Sequence, residues 1–159
     1  LAEYLGDCLP SHLTNFFKEK TMTGIVSTVD ADGYPRGAPM SLFYAINDKI
    51  ILLAAQNQSQ TYKNVQKRGK IALTFVGDGD VAFSLQAEGL ILKEKMESSK
   101  HMGILLLVCK SVKSNVAVDV EVQEGIKLKL RSPEWESFVE KLLEELRSFN
   151  YDKVKNLIK

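Results

Sequence analysis

The sequence has 159 residues, 45% of them hydrophobic and 26% charged, which fits one domain, or a domain with a helical annex, and excludes intrinsic disorder. Twenty-one Lys and Arg against twenty Asp and Glu leave a net charge of +1, which also excludes a dedicated nucleic-acid binder with its basic patch. A chain of this size buries roughly 68–70% of its unfolded surface, so its core needs no metal or disulfide staple.

At the N-terminus Glu3 and Asp7 stand where a secretory leader would carry basic and then apolar residues, so no signal peptide is expected. The longest apolar run, residues 104–109, is far short of the ~20 needed to cross a bilayer. A cytoplasmic protein follows as the expectation, with Cys8 and Cys109 as reduced thiols rather than a disulfide framework. Residues 10–20 predict a short amphipathic helix. Leu13, Phe16 and Phe17 fall at i, i+3, i+4, Ser11 suits the N-cap, and Lys18 and Lys20 suit the negative end of the dipole. The period then shortens. Residues 24–29 are β-branched, Asp30-Ala31-Asp32-Gly33 is a turn, and strands follow over 38–46 and 49–54, giving a three-stranded meander.

Residues 56–60 are polar and lead into a short helix over 61–67, stopped by Gly69. Strands are expected at 70–76 and, after Gly77-Asp78-Gly79-Asp80, over 81–96 with a bend or bulge at Gly89. Residues 97–114 read most easily as a helix with a buried face, although 104–108 alone also fit a strand. Residues 116–122 and 126–131 alternate apolar and charged side chains about Glu124-Gly125, the clearest hairpin pattern in the chain. Ser132 then caps a helix with Pro133 at its first position and a stripe of Trp135, Phe138, Leu142 and Leu146. The expected architecture is mainly β in the α+β sense. It is a six- to seven-stranded antiparallel split β-barrel with peripheral helices, in which residues 1–131 form the barrel with its N-terminal helix. Residues 132–159 form a helical extension of the same domain.

Metal chemistry has little support: His12 and His101 are isolated, no HExxH or cysteine cluster exists, and no metal site is expected. The Asp30-x-Asp32-Gly33 stretch fails as a calcium loop because Pro35 and Ser41 occupy the sixth and twelfth positions. Nucleophile elbows, Rossmann glycines and Walker loops are absent. One segment stands apart. Gln58-Ser59-Gln60-Thr61-Tyr62-Lys63-Asn64 places hydroxyls, amides and a lysine where a strand gives way to a helix. Free N–H groups at such a point bind phosphate. Ser59 or Thr61 acting only as an N-cap is the competing account.

Three features together resemble the FMN-binding split-barrel superfamily of pyridoxamine 5'-phosphate oxidase over roughly residues 21–89. They are the strand-turn-strand from Gly24 through Asp30-Ala31-Asp32-Gly33 to Ala38-Pro39-Met40-Ser41, the small-residue strand end Ala54-Ala55, and Ser59-x-Thr61-x-x-Asn64-Val65 followed by Gly69 and a strand. The resemblance implies a flavoprotein, an oxidoreductase moving electrons or hydride to an unknown acceptor from a small-molecule or protein donor, with no nucleic-acid or membrane partner. It implies a homodimer with FMN at the subunit interface. Carried onto this sequence, Ala38, Pro39, Met40 and Ser41 line the ring and ribityl chain, and Ala54, Ala55 and Gln60 approach the ring edge and phosphate. Ser59 and Thr61 contact the phosphate, and Asn64 is either an inward polar contact or a brace. Ala38 and Thr61 stand where the oxidase itself has an arginine and a lysine, with Arg36 and Lys63 nearby, and no Arg-x-His motif follows in the tail. The resemblance is therefore to a small relative, and no catalytic side chain is assigned. The alternative is a split-barrel binding or stress-related module that has lost flavin.

Overall fold

The computed structural model describes residues 3–19 and 22–158. In chain order it runs β1 (Glu3–Gly6), α1 (Ser11–Glu19), β2 (Gly24–Val29), β3 (Pro35–Met40), β4 (Phe43–Ala45), β5 (Ile50–Gln56) and α2 (Gln60–Arg68). β6 (Lys70–Gly77), β7 (Val81–Lys93), β8 (Met102–Ser114), α3 (Pro133–Arg147), α4 (Tyr151–Val154) and a 3₁₀ turn (Lys155–Leu157) complete it. The strands form one antiparallel sheet in the order β3-β2-β6-β7-β8-β5-β4, with β1 added to β8. Both ends of that path belong to consecutive stretches of chain, because only Ser41 and Leu42 separate β3 from β4. The sheet therefore curls until its first and last strands meet at a corner. There the hydroxyls of Thr23 and Ser41 lie 2.6 Å apart, and the Ala54 amide donates to the Leu42 carbonyl at 2.9 Å. The antiparallel split barrel with peripheral helices is what the sequence predicts; eight strands form where six or seven were expected, and β1 had no sequence signal.

Alternation builds the barrel's interior. Ile71, Leu73 and Phe75 of β6 point inward, while Lys70 and Thr74 point out. The buried face of α1 plugs one end: Phe17 meets Phe43, Phe75 and Phe83 edge-on at centroid distances of 5.9, 5.0 and 6.1 Å, geometry that aromatic quadrupoles favour. Ser11 is the first helical residue rather than the cap, since the Pro10 carbonyl accepts from both Leu13 and Thr14. Lys20, expected at the end of this helix, lies outside the described residues. The 38–46 strand divides at the corner, so the expected meander becomes two hairpins at opposite ends of the sheet. Gly69 stops α2 in the left-handed region at φ 66°. β7 bulges at Leu92, between Ile91 and Lys93, rather than at Gly89, and the irregularity beside Gln86 and Ala87 is an extra residue, Lys110, in β8. Gly89 is instead required by close approach, because an added Cβ would lie 2.7 Å from Val65 of α2.

Two further expectations fail. Residues 97–114 do not form a helix; β8 occupies 102–114, with β5 on one side and β7 on the other. Its run is apolar without a period because both faces are covered. Leu105, Leu107 and Cys109 face the barrel core, whereas Ile104 and Leu106 lie in a second cluster with Leu142, Leu143, Leu146 and Val154. The other failure is the hairpin at 116–131, which contains no strand. Its central residues are bound elsewhere. Val122 exchanges hydrogen bonds with Asp80, from its amide to the carboxylate at 3.0 Å and from the Asp80 amide to its carbonyl at 3.3 Å. The Gly125 amide donates to Asp78 at 3.3 Å, against a backbone so close that a Cβ has no room. A segment whose turn is anchored to the β6–β7 connection cannot fold that turn back on itself.

α3 begins as the sequence predicts, with the Ser132 hydroxyl accepting from the Trp135 amide and Pro133 at its start. It lies over the outer face of β5 and β8, burying Leu142 and Leu146, while Trp135 stays exposed. Glu145 clasps the helix to the β7–β8 connection. One carboxylate oxygen accepts from the Ser98 amide and hydroxyl at 2.9 and 2.8 Å. The other accepts from the Glu97 amide at 3.1 Å and the Lys93 ammonium at 3.3 Å. Among the described residues no helix is long and apolar enough to cross a membrane.

Candidate functional site

The segment that joins β5 to α2 is rigidly held. The Asn57 amide donates to the His101 carbonyl, and its side-chain amide donates to Glu94 and Lys100 carbonyls at 3.1 and 2.9 Å, which fixes the approach to the helix. Ser59 is the N-cap, its hydroxyl accepting from the Tyr62 amide at 3.2 Å and its carbonyl from the Lys63 amide at 3.1 Å. The amides of Gln60 and Thr61 have no partner among the described residues, and neither does the hydroxyl of Thr61, a side chain only 3% exposed. These are orphan donors at the positive end of a helix dipole. Ser59 therefore caps the helix, and the next two residues leave their amides without a partner among the described residues.

Asn64 is a brace. Its amide group donates to the Thr28 hydroxyl at 3.0 Å and the Asp30 carboxylate at 2.8 Å, and its oxygen accepts from Gln60 at 2.8 Å. Asp30 in turn takes a bidentate grip from Arg36, at 3.0 Å from Nε and 2.8 Å from Nη2. Hydrogen bonding from Arg36, then from Asn64, holds the Asp30 carboxyl below the usual carboxylate range. The arginine nearest the missing phosphate cation is thus engaged by a carboxylate. The sequence treated Asp30 only as a turn residue; the Asn64 spacing gave no hint that the turn and the helix are joined. Tyr62 was also missed. It is buried, its hydroxyl is the one buried side-chain polar atom without a partner among the described residues, and burial, then Glu94, pushes its pKa up.

A hollow of about 920 Å³ opens beside the barrel corner between β3, the β6–β7 turn, the 116–131 segment and α3. Pro39, Met40 and Ser41 line it, with Asp78, Lys127 and Glu140 among its polar groups. The other expected residues lie outside it. Ala38 is half-buried on β3 opposite Val26. Ala54 and Ala55 are buried on opposite faces of β5, Ala54 beneath α3 and Ala55 in the barrel core. Ser59, Gln60, Thr61 and Asn64 sit on α2, apart from the hollow. One chain thus presents two patches, a β3 end facing a cleft and a helix start with free donors.

The sequence pattern of the family described as pyridoxamine 5'-phosphate oxidase matches residues 11–121, more than half of the chain. The protein belongs to this family. Members of the pyridoxamine 5'-phosphate oxidase family often bind flavin. Solved structures agree on the fold. A candidate pyridoxamine 5'-phosphate oxidase from Lactobacillus delbrueckii is 20% identical and superposes with a TM-score of 0.58, over 69% of this chain and 98% of its own. The HupZ protein of Group A Streptococcus, 16% identical, covers 76% and 100% at a TM-score of 0.55. General Stress Protein 26 of Bacillus anthracis, 15% identical, covers 74% and 99% at 0.51. No curated protein matches the sequence. The family match ends at residue 121, so α3 and α4, with the clasp at Glu145, lie beyond it.

Proposed function

We propose that this chain is an FMN-binding flavoprotein of the cytoplasm. It would act as a homodimer that passes electrons or hydride from a reductant to an acceptor, with the cofactor at the subunit interface. The observation that carries the proposal is the start of α2, where the Gln60 and Thr61 amides and the Thr61 hydroxyl are all without partners among the described residues. That donor set fits a phosphate, and the helix dipole adds to it. Ala38, Pro39, Met40 and Ser41 would flank the ring and ribityl chain, whereas Ala54 and Ala55, packed beneath α3 and in the barrel core, would support the site from behind rather than touch the ligand. Asn64 holds α2 in place without touching the ligand. That the cleft beside β3 lacks the α2 residues supports a site completed by a second protomer. When bound, FMN supplies the hydride and one-electron chemistry; the chain's part is to hold it and exclude water.

With Arg36 engaged by Asp30, the phosphate would be met by neutral donors, which bind it less strongly than charge-assisted ones. A dissociation constant on the order of 1 μM, or about −8 kcal/mol, is expected. An absorption spectrum of freshly purified protein, mass identification of any released cofactor, and an FMN fluorescence titration test this. Thr61→Ala should weaken binding roughly fivefold to tenfold, the worth of one hydrogen bond. Colourless protein that fails to quench FMN at about 100 μM, where binding would be worth only about −5.5 kcal/mol, overturns the reading. The alternative, a split-barrel module without flavin, is favoured by the same Arg36–Asp30 pair, and it predicts a flat titration for the wild type.

A further inference from the structure

The family match stops inside the one long segment whose backbone the fold leaves open. Among the described residues, the exposed backbone groups of 117–121 and 126–131 have no hydrogen-bond partner in the protein, which leaves them open to pair with another chain. Five large apolar side chains on this arm are exposed, with Val118 at 97% and Leu128 at 68% of their surface, and Val120, Ile126 and Leu130 beside them. All five fall on even-numbered positions, one face of a strand. Asp119, Glu121, Lys127, Lys129 and Arg131 alternate with them, acidic before Gly125 and basic after it, while Glu124 shares the even positions and pairs with Lys127 of its own chain at 2.9 Å. The two halves are complementary, yet the anchoring of Val122 and Gly125 to Asp80 and Asp78 keeps them apart within one chain.

We propose that residues 116–131 pair antiparallel with the same segment of a second copy of this chain, the acidic half of each arm against the basic half of the other. In that arrangement Val118 and Val120 of one copy face Leu130 and Leu128 of its partner, and Asp119 and Glu121 face Lys129 and Lys127. Apolar side chains then share one face and opposite charges the other, which is how cross-strand pairs stabilise a sheet. The sheet's own free edge is a poorer place for this contact. β3 keeps an unbroken ladder to β2 from Pro35 to Met40, so the N–H groups that Pro35 and Pro39 lack belong to its outer side. The arm also borders the cleft that Pro39, Met40 and Ser41 line, so pairing closes that cleft. The proposal rests on the homodimer in the function proposed above and not on its flavin.

The test is a mixing experiment on full-length protein without flavin, using Lys127→Glu/Lys129→Glu, whose arm keeps Arg131 as its single cation, and Asp119→Lys/Glu121→Lys, whose arm keeps Glu124 as its single anion. Sedimentation should find wild type dimeric and raise the dimer dissociation constant of each variant alone at least about tenfold, because like charges then lie opposite each other. An equimolar mixture of the two should recover the dimer, with one differently tagged copy of each. A monomeric wild type, variants that dimerise unaided, or a mixture that stays monomeric each overturn the proposal; the last outcome points to pairing within one chain or with another protein. FMN titration of the same samples separates the two proposals. A dimer that ignores FMN leaves the arm standing and removes the flavin, whereas FMN binding by a monomer does the reverse.

Discussion

β8 and the arm that follows it adjoin in the chain and end in opposite states. β8 lacks any alternation, and its apolar residues lie in a ladder with neighbours on both sides and a core against each face. The arm alternates cleanly and forms no ladder among the described residues, its backbone held to its own chain at Val122 and Gly125. The contrast teaches that a strand is decided by what stands beside it. A period reports how many faces are covered, and only a neighbour with free N–H and C=O groups turns that pattern into a ladder.

Truncating a side chain on each segment tests the contrast most directly. Leu105→Ala, inside the barrel at 0% exposure, should cost about 2–5 kcal/mol in urea unfolding. The α2–turn junction comes next. Asn64→Ala removes a buried amide that serves three partners and should cost about 1–3 kcal/mol. The same junction should respond to acid. The Asp30 carboxyl is held low in the folded state, so its contribution is present above the ordinary carboxylate pKa of about 3.9 and is lost as pH falls through the lower folded value. Thermal unfolding from neutral pH down to about 2 should therefore show a steeper acid loss for wild type than for Asp30→Asn; equal slopes would mean the pair with Arg36 contributes nothing.

Glu145→Gln should act more weakly and more locally. Burial opposes the charge of Glu145, but hydrogen bonds from Ser98 and Glu97 and the Lys93 ammonium prevail and hold its pKa below the usual value. Loss of the charge should cost about 1 kcal/mol and raise hydrogen exchange at the Ser98 amide before any strand is affected. Smallest of all, Leu128→Ala on the arm should change the unfolding free energy of dilute monomer by no more than about 0.5 kcal/mol. A large effect there would mean that the arm is packed within its own chain.

Much of the fold was legible because local chemistry and tertiary demand agree in it. Gly69 needs the left-handed conformation that ends α2, Ser59 and Ser132 cap helices, and Asp30-Ala31-Asp32-Gly33 turns one hairpin. The failures are places where the deciding partner is remote in sequence. β8 is a strand because β5 and β7 flank it, the strand expected at 38–46 divides because its ends serve opposite edges of the sheet, and the arm is held open by Asp78 and Asp80. The candidate site shows the same division. Ser59 and Thr61 were legible from a local motif, whereas the bond between Asn64 and Asp30 spans distant positions and the unpartnered hydroxyl of Tyr62 follows from packing alone.

The position of α3 has a consequence during synthesis. A ribosome delivers every strand before it delivers this helix, so a nascent chain can assemble the barrel while the outward side of β5 and β8, with Ile50, Leu52, Ile104 and Leu106, still lacks its cover. Exposed apolar surface of that kind invites aggregation and chaperone capture. The interval closes only when Leu142, Leu143 and Leu146 emerge, and Glu145 among them carries the polar contacts that dock the helix in one register.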